Sequence, residues 1–308
     1  MKIYKLPCCL PADALPAGCT AALGNFDGVH LGHKALFEEA LKTPPCAVWT
    51  FTEPAKPNSP TPFLTDAKER LRLFSLCGLD YAVMEDFSLV KNLSCEEFVG
   101  EYLNKRLRLS RVVCGFNYRF GKGGRGNAEE LKRLCGKYGI ECTVIPPVTT
   151  EGREISSSII REMILCGDTE GAEKLLGHPF SLTSPVIHGK SLGSLFQTPT
   201  VNQEILQGMI IPKYGVYATA VTVDGKVFPG ATNVGIRPTL NDGDKVNCET
   251  NIVGFSGDLY GKDIRIDFLK MVRDEQKFSD KSALFSQIKK DAERCRMIFT
   301  EHSERNRS

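Results

Sequence analysis

The chain has 308 residues, of which 42% are hydrophobic and 25% charged, so it is long enough for two globular domains of ordinary size. Its formal net charge is +2 and neither half is strongly basic, so nucleic acid is not an expected partner. No stretch approaches the roughly 20 apolar residues of a membrane span, and residues 1–7 lack the apolar core of a signal peptide. We therefore expect a cytoplasmic protein with no membrane partner.

The first stretch predicted to carry function is the turn at residues 24–33, Gly-Asn-Phe-Asp-Gly-Val-His-Leu-Gly-His. It lies between an apolar run at 20–23, predicted to be a buried strand, and a helical pattern at 31–41. Glycines allow a backbone to approach a ligand closely. The start of a helix offers unpaired amides and the positive end of its dipole to an anion. The pattern therefore indicates a phosphate-binding turn.

Two histidines in this turn strengthen that interpretation. His30 and His33 are three residues apart, so they are predicted to lie on one face of the first helical turn. Two imidazoles beside unpaired amides suit a polyphosphate. The alternatives are a structural histidine pair or a metal site, and for a metal only Asp27 offers a third ligand nearby.

Strands and helices then alternate along the first half of the chain. This order predicts a Rossmann-like parallel sheet with right-handed crossovers. The proline-rich stretch at 53–62 is predicted to be a long loop, either a substrate flap or an exposed spacer. Thr65 is predicted to cap the helix that follows it. The further strands are expected at 46–51, 78–84, 111–115 and 141–146, and the further helices at 65–76, 96–107 and 129–138.

Two later stretches in this half also suit an anion. Residues 115–126 form a glycine-rich segment with three basic side chains, which is typical of an anion-facing loop or of a plain flexible turn. Residues 156–158 are three serines that precede an apolar-periodic run containing Arg161. The serines predict a helix start, where hydroxyls cap the helix while free amides and the Arg161 guanidinium face an anion.

The texture of the chain changes at Phe180. From there on, short alternating segments are separated by Gly, Pro and Asp, and Asp224-Gly225 between two such segments is a strong hairpin signal. The half ends in an amphipathic helix predicted at 281–299. These features predict an antiparallel barrel closed by a helix, with domains at residues 1–179 and 180–308.

The twelve cysteines are scattered, and no Cys-x-x-Cys pair occurs. Most of them lie in apolar runs. This usage is typical of reduced, buried thiols in a cytosolic protein.

The motifs of both halves resemble one family. The turn at 24–33 is similar to the adenylyl-transferring module of the bacterial bifunctional riboflavin kinase/FAD synthetases, within the nucleotidyltransferases that share the His-x-Gly-His pattern. The segments 199–202, 214–217, 233–239, 249–250 and 255–261 resemble the riboflavin kinase module. The resemblance implies a Rossmann-like domain and a Greek-key barrel that make FMN from riboflavin and ATP, and then FAD and pyrophosphate from FMN and ATP. It also implies Mg²⁺ as the ATP-bound cofactor, and it leaves the oligomeric state open.

In the first half, the resemblance implies an ATP site. Both reactants are anions, so the protein's main tasks there are positioning and charge neutralisation, and no protein nucleophile is required. The implied catalytic residues are His30, His33 and Arg161, and the implied nucleotide contacts are Gly24, Phe26, Asp27, Gly28, Asn117, Ser157 and Ser158.

In the second half, two motifs are compatible with a kinase. Taken alone, Thr200 and Asn202 would be a plain strand end, and Glu249 would be a solvated surface residue. Thr200 and Asn202 offer a hydroxyl and an amide oxygen, which are hard ligands suited to Mg²⁺ already held by ATP. Glu249 can accept the proton of a primary alcohol, as a general base must. The resemblance assigns those roles, makes Arg237 a flavin contact, and places ATP phosphates on Gly189, Lys190 and Gly193.

One segment departs from the family pattern. Ser194, Gln197 and Thr198 stand where the relatives usually have an arginine and a Leu-Gly-Phe run. A monofunctional FAD synthetase with a degenerate kinase domain is therefore an alternative. A non-catalytic flavin-binding regulatory protein is another, and an adenylyl- or cytidylyltransferase for a different acceptor is a third. Because Thr200, Asn202 and Glu249 are all present, we expect an active kinase.

Overall fold

The computed structural model describes residues 1–5, 14–52, 61–187, 200–237, 245–276, 278 and 280–306. Packing divides the chain into two compact units, Met1–Ser157 and Ser158–Ser308. The first contains a six-stranded parallel sheet and the second a closed six-stranded antiparallel barrel. The fold class predicted from the sequence is therefore confirmed.

The first unit is built on a sheet with the strand order β1-β4-β3-β2-β5-β6, and all of its pairings are parallel. Its central strands are apolar along their length because both faces of the sheet are covered. One face packs around Trp49 and Phe98, and the other around Phe37 and Phe74. The strands are β1 Lys2–Lys5, β2 Thr20–Leu23, β3 Cys46–Phe51, β4 Tyr81–Glu85, β5 Arg111–Gly115 and β6 Glu141–Ile145, with a small β7 Thr149–Thr150 and β8 Arg153–Glu154 hairpin.

The helices connect these strands. They are α1 Leu31–Leu41, α2 Ala67–Leu76, α3 Phe87–Val90, α4 Cys95–Glu97, a π-helix Phe98–Arg106, a 3₁₀ turn Lys122–Gly124 and α5 Ala128–Lys137, and α6 Ser157–Cys166 begins at the last residue of the unit. Since the strands are parallel, their carboxyl ends meet at one edge of the sheet, where open α/β sheets bind ligands.

Three local features of the first unit differ from the sequence-based expectation. The sheet has a sixth strand, β1, which is short, mostly exposed and therefore weakly patterned. The helix expected at 96–107 is one α-helical turn followed by the π-helix. The prediction that Thr65 caps α2 is wrong: Asp66 is the cap and accepts from the Glu69 amide at 2.7 Å.

The barrel of the second unit has the closed order β10-β13-β12-β11-β14-β9. Strands β11, β12 and β13 form a meander, and β14 returns beside β11, which is the Greek-key arrangement. At the predicted hairpin turn, Asp224 and Gly225 have φ values of +47° and +79°, as a type I′ turn requires. The strands are β9 Phe180–Ile187, β10 Thr200–Glu204, β11 Gly215–Val223, β12 Lys226–Arg237, β13 Lys245–Ile252 and β14 Asp263–Asp274.

Helices cover the outside of the barrel. The terminal helix, α8 Lys281–Arg305, packs on β11, β12 and β14, and it continues six residues beyond the predicted end at 299. Arg273 of β14 holds it through a salt bridge of 2.7 Å to the buried Asp291. Helix α7 Thr169–Leu176 packs on β9 and β14. By packing, α7 and most of α6 therefore belong with the barrel, while the division of activities at residue 180 stays a prediction.

Candidate active sites

The turn after β2 has an unusual backbone. Phe26, Gly28 and Val29 all have positive φ, at +53°, +86° and +43°. Such values are rare for residues other than glycine, and for a β-branched valine they are a clear outlier. Strain of this kind persists only where the surroundings hold it, and it clusters at functional sites.

The side chain of Asp27 helps to stabilise this strained turn through hydrogen bonds to residues 64 and 65. One of its carboxylate oxygens accepts from the Leu64 amide at 2.9 Å, the Thr65 amide at 3.0 Å and the Thr65 hydroxyl at 3.2 Å. The Gly28 amide in turn donates to the Thr65 hydroxyl at 2.9 Å. Because the Thr65 hydroxyl is engaged by Asp27 and Gly28, it does not cap α2. The nucleotide contact predicted for Asp27 remains a prediction. Among the described residues, no group of three His, Cys, Asp or Glu side chains could hold a metal ion.

A buried arginine, Arg70, also stabilises this turn through a hydrogen bond to its backbone. Arg70 is 3% exposed, and its guanidinium donates to the carbonyls of Asn25 at 3.1 Å and Thr52 at 3.0 Å. Burial lowers the pKa of Arg70, while Asp27 and Asp66 act in the opposite direction. Arg70 thus connects the loops that follow β2 and β3. Nothing in the sequence singles out this residue beyond its place in an amphipathic helix.

The predicted histidine pair is brought together. His30 is the N-cap of α1, and its Nδ1 accepts from the His33 amide at 3.3 Å. The two imidazole rings stack with their centroids 3.5 Å apart and their planes 17° apart. A Cβ on Gly32 would lie 3.1 Å from the His30 ring. The glycine of the His-x-Gly-His pattern therefore makes room for the ring of its own motif.

Burial governs the charge of His33. It lowers the pKa of His33 well below its usual range, with the neighbouring His30 acting in the same direction. The ring is therefore neutral at pH 7 in the absence of a ligand. Its buried Nδ1 has no hydrogen-bond partner among the described residues. A neutral imidazole can donate a hydrogen bond, and a polyphosphate placed beside it raises its pKa and favours the charged form.

The serines at the start of α6 have different surroundings. Ser157 donates its hydroxyl to the Asp27 carbonyl at 2.8 Å, whereas Ser158 is exposed. Arg161 lies one turn further along α6, in the second unit, and is partly exposed. The structure thus gives Ser157 an anchoring contact with the turn that is predicted to bind phosphate. The ligand contacts predicted for these three residues stay predictions.

The glycine-rich loop after β5 has a defined form. A bridge between Phe120 and Gly126 closes it, and the 3₁₀ turn Lys122–Gly124 forms its tip. Asn117 is exposed. Its side-chain oxygen lies close to Gly115, since a Cβ added at Gly115 would be 3.3 Å from Asn117 Oδ1. The three basic residues of the loop, Arg119, Lys122 and Arg125, are also at least partly exposed. The loop therefore presents an amide and three cations at the carboxyl edge of the sheet.

A buried acid, Glu85, lies at the same edge and was not singled out from the sequence. It ends β4, opposite Phe51 of β3, and is 0% exposed. Neither of its carboxyl oxygens makes a hydrogen bond of ordinary geometry with the described residues. Burial raises the pKa of Glu85 to about 7, against the opposing influence of Arg106 and of the Asp86 amide.

The second candidate site is on the outer face of the barrel. Asn202 of β10 is the register partner of Glu249 of β13, and Glu249 is also paired with Asn233 of β12. Residues directly opposite each other share a face, with Cβ atoms roughly 4.5–5.5 Å apart. Thr200 is two residues from Asn202 on the same strand, so it lies on that face too. The predicted metal ligands and the predicted base are therefore neighbours.

The interior of the barrel is distinct from this face. The hydroxyls of Thr219, Thr232 and Thr250 form a buried ladder with 2.9 Å between successive oxygens. Asn202 itself is only 7% exposed, while Glu249 is exposed. In this site, the buried amide of Asn202 therefore lies beside the solvent-accessible carboxylate of Glu249.

Several predicted contacts lie outside the described residues. These are Gly189, Lys190 and Gly193 of the predicted phosphate loop, the variant positions Ser194, Gln197 and Thr198, and the side chain of Arg237, whose backbone ends β12.

Comparisons with known proteins bear on both sites. A family model for FAD synthetase matches residues 12–159, and one for riboflavin kinase matches residues 176–299. A bifunctional riboflavin kinase/FMN adenylyltransferase of Escherichia coli K12 is 35% identical over 301 residues, covering 94% of this chain and 95% of that protein. The Bacillus subtilis protein of the same name is 33% identical over 295 residues, covering 91% and 92%.

A solved structure is also similar along nearly the whole chain. It is a Streptococcus pneumoniae protein described as a macrolide-efflux protein, with 31% identity, a TM-score of 0.84, and coverage of 95% of this chain and 98% of that one. Among the helices in the described part of this chain, none has the length and apolarity needed to cross a bilayer. The ten cysteines within the described part are all free.

Proposed function

The chain belongs to the family of bifunctional riboflavin kinase/FMN adenylyltransferases, and we propose that it carries out both reactions of that name. It phosphorylates riboflavin with ATP to give FMN, and it transfers the adenylyl group of a second ATP to FMN, giving FAD and pyrophosphate. The observation that carries this conclusion is the match of two family models to the two halves of the chain. Relatives with both activities in their name align along more than nine-tenths of it. This favours the bifunctional enzyme over a monofunctional synthetase or a non-catalytic protein.

For adenylyl transfer, an oxygen of the FMN phosphate attacks the α-phosphorus of ATP, and the bond to the pyrophosphate oxygen breaks. Both reactants are anions, so the protein must position them and neutralise charge. We assign this work to His30 and His33 at the start of α1, with Ser158 and Arg161 of α6 as further phosphate contacts. The stacked imidazoles and the N-terminal dipole of α1 support the assignment.

His33 has a specific part in this proposal. Since burial keeps its ring neutral in the free protein, it meets ATP as a hydrogen-bond donor. Binding of the polyphosphate favours a proton on the ring, and that proton neutralises charge as pyrophosphate departs.

For riboflavin phosphorylation, Glu249 accepts the proton of the ribityl 5′-hydroxyl while the oxygen attacks the γ-phosphorus of ATP and ADP departs. Thr200 and Asn202 would hold Mg²⁺, because a hydroxyl and an amide oxygen are hard, neutral donors suited to a cation already bound by phosphates. Mg²⁺ would neutralise the charge that develops on the phosphate oxygens. The register pairing of Asn202 with Glu249 supports a common site for the metal and the base.

The proposal also includes the assignment of activities to segments. Adenylyl transfer is assigned to residues 1–179 and phosphorylation to residues 180–308, with Arg237 as a flavin contact and Gly189, Lys190 and Gly193 as phosphate contacts. We propose a cytoplasmic location, where the free cysteines would remain reduced. Macrolide efflux, the description of the Streptococcus pneumoniae structure, is not carried over, because two flavin-enzyme models match this chain.

The direct test is product analysis after incubation of the purified chain with riboflavin, ATP and Mg²⁺. We expect FMN to appear first, followed by FAD and pyrophosphate. Supplying FMN in place of riboflavin should give FAD without a lag. Formation of FAD from FMN, but no FMN from riboflavin, would refute the kinase half and support the monofunctional alternative.

A further inference from the structure

The amide of Asn202 has a partner that fixes its orientation. The Nδ2 group of Asn247, on β13, donates a hydrogen bond of 3.1 Å to Oδ1 of Asn202 on β10. Both side chains are nearly buried, at 9% and 7% exposure. Asn247 lies two residues before Glu249, so both project from the same face of the strand.

The register leaves space for this contact. On one side, Asn247 is paired with Glu204 of β10, so its amide reaches Asn202 along the diagonal of the ladder. On the other side, its partner is Gly235 of β12, which has no side chain. The register therefore leaves the Asn247 amide within reach of Asn202.

The orientation matters because the two ends of a primary amide have opposite chemistry. The oxygen is an acceptor with two lone pairs, whereas the NH₂ group is donor-only and cannot bind a cation. With Asn247 donating to one lone pair of Oδ1, the second lone pair remains for a metal. If the Asn202 amide alone were reversed, with Asn247 kept in its observed orientation, its NH₂ group would face the NH₂ group of Asn247, and two hydrogen-bond donors would be left opposed.

We propose that Asn247 is a positioning residue of the kinase site, which holds the Asn202 amide oxygen in the orientation that binds the divalent cation of the metal–nucleotide complex. This inference rests on the proposed kinase function. Residues of this type act through the metal ligand, and their removal typically lowers metal affinity by about 10- to 100-fold. Asn247 does not touch the substrate.

The test compares the full-length chain with its N247A and N247S variants. In N247A, the Mg²⁺ concentration for half-maximal FMN formation should rise by about 10-fold, with kcat at saturating Mg²⁺ within about 2-fold of wild type. Binding of Mn²⁺–ADP, followed by electron paramagnetic resonance of the manganese, should weaken by a similar factor. N247S retains a hydroxyl donor and should recover part of both. It also provides the test if N247A does not fold.

A second background separates positioning from general damage to the barrel. Asp at position 202 presents oxygens at both ends of its side chain, so its metal binding does not depend on a donor that fixes its orientation. In N202D, the further change N247A should therefore have little effect on Mn²⁺–ADP binding. An equal loss in both backgrounds would show a merely structural role and overturn the inference, as would an unchanged Mg²⁺ dependence and Mn²⁺–ADP affinity in both single variants.

The inference and the proposed function fail in different ways. Wild-type protein that forms no FMN would refute the kinase assignment, while Mn²⁺–ADP binding would still test the role of Asn247. A wild-type chain that neither forms FMN nor binds Mn²⁺–ADP would overturn both. The FAD yield from FMN should be unchanged in N247A, since that reaction is assigned to the other segment of the chain.

Discussion

The side-chain hydroxyl of Ser157 donates a hydrogen bond of 2.8 Å to the main-chain carbonyl of Asp27, 130 residues earlier in the sequence. Asp27 lies in the strained turn after β2, and Ser157 is the first residue of α6. The bond therefore joins two motifs that the sequence separately associates with phosphate binding. A serine expected only to cap a helix or contact ATP also fixes where that helix begins.

Ser157 and the adjacent Ser158 allow anchoring to be separated from ligand binding. We expect S157A to lower the stability of the first unit by about 1 kcal/mol, the usual value of one hydrogen bond. S158A should leave the stability unchanged, because Ser158 is exposed, and should raise KM for ATP in FAD synthesis. Urea unfolding and steady-state kinetics measure the two effects. Equal destabilisation by both variants would contradict the distinction.

Gly32 is expected to resist a substitution that usually stabilises helices. Alanine in a helix is favoured over glycine by about 1 kcal/mol, yet a Cβ at position 32 would lie 3.1 Å from the His30 ring. G32A should therefore displace that ring and lower FAD formation without a gain in stability. Gly136 of α5 is the matched control, since a Cβ placed there would meet nothing within 4 Å, and G136A should be more stable with full activity. A thermally stabilised, fully active G32A would show that the ring position is unimportant.

His33 and Arg161 should be essential for FAD synthesis. Removing one group that stabilises developing charge typically costs about 10²- to 10³-fold in rate. We expect H33A and R161A each to lose at least this much in FAD formation from FMN and ATP, measured as pyrophosphate release. Riboflavin phosphorylation by the same variants provides the control and should be retained. Rates near wild type in either variant would remove that residue from the proposed site.

Glu249 should be essential for the other reaction. Loss of a general base typically reduces the rate by about 10²- to 10⁴-fold. In E249Q we therefore expect FMN formation from riboflavin to fall by this factor while FAD formation from added FMN continues. Chromatography of flavin products from the two starting materials tests this directly. Wild-type phosphorylation in E249Q would identify a different base.

Glu85 should make the stability of the protein depend on pH. Its pKa is about 7 in the folded state against 4.5 for an ordinary glutamate, so between these pH values the folded state holds a proton that the unfolded state has lost. Stability from this group is therefore full below pH 4.5 and is lost as pH rises to 7, by about 3 kcal/mol in total.

The isosteric variant E85Q has no such proton. Relative to wild type, E85Q should gain stability as pH rises from about 5 to about 8, and denaturant unfolding at the two pH values measures the difference. His33 also makes stability depend on pH. Because its pKa is lowered in the folded state, His33 lowers the free energy of unfolding as pH falls through the histidine range, whereas Glu85 raises it as pH falls. Because His33 is present in both proteins, its effect cancels in the comparison. A stability difference between E85Q and wild type that does not change with pH would contradict a raised pKa for Glu85.

The elements and motifs of this protein could be predicted because they depend on local sequence. Buried strands such as Cys46–Phe51 are continuous apolar runs, the Asp224-Gly225 turn has its own conformational preference, and the histidine spacing follows from the helical repeat. The four-residue strand Lys2–Lys5 was missed because exposed lysines and a short length give little pattern.

The contacts that support the sites could not be predicted, because they depend on which chain segments meet. Arg70 reads as one more charge in an amphipathic helix, yet its guanidinium is buried beneath Asn25. Glu85 reads as the polar end of a strand, and its burial follows from packing on the sheet face. The contact of Asn247 with Asn202 depends on the register of two strands 45 residues apart. Strand register is a property of the assembled barrel rather than of either segment.

The Greek-key order of the barrel has a consequence for biosynthesis. Strand β9, the first of the barrel, pairs with β14, the last, and Phe180 lies opposite Phe268. The barrel therefore cannot close until β14 has been synthesised. The parallel sheet, in contrast, has all six strands once Ile145 has been made. Since domains fold as units during synthesis from the amino terminus, the parallel sheet can assemble on the ribosome while the barrel is still an incomplete set of strands.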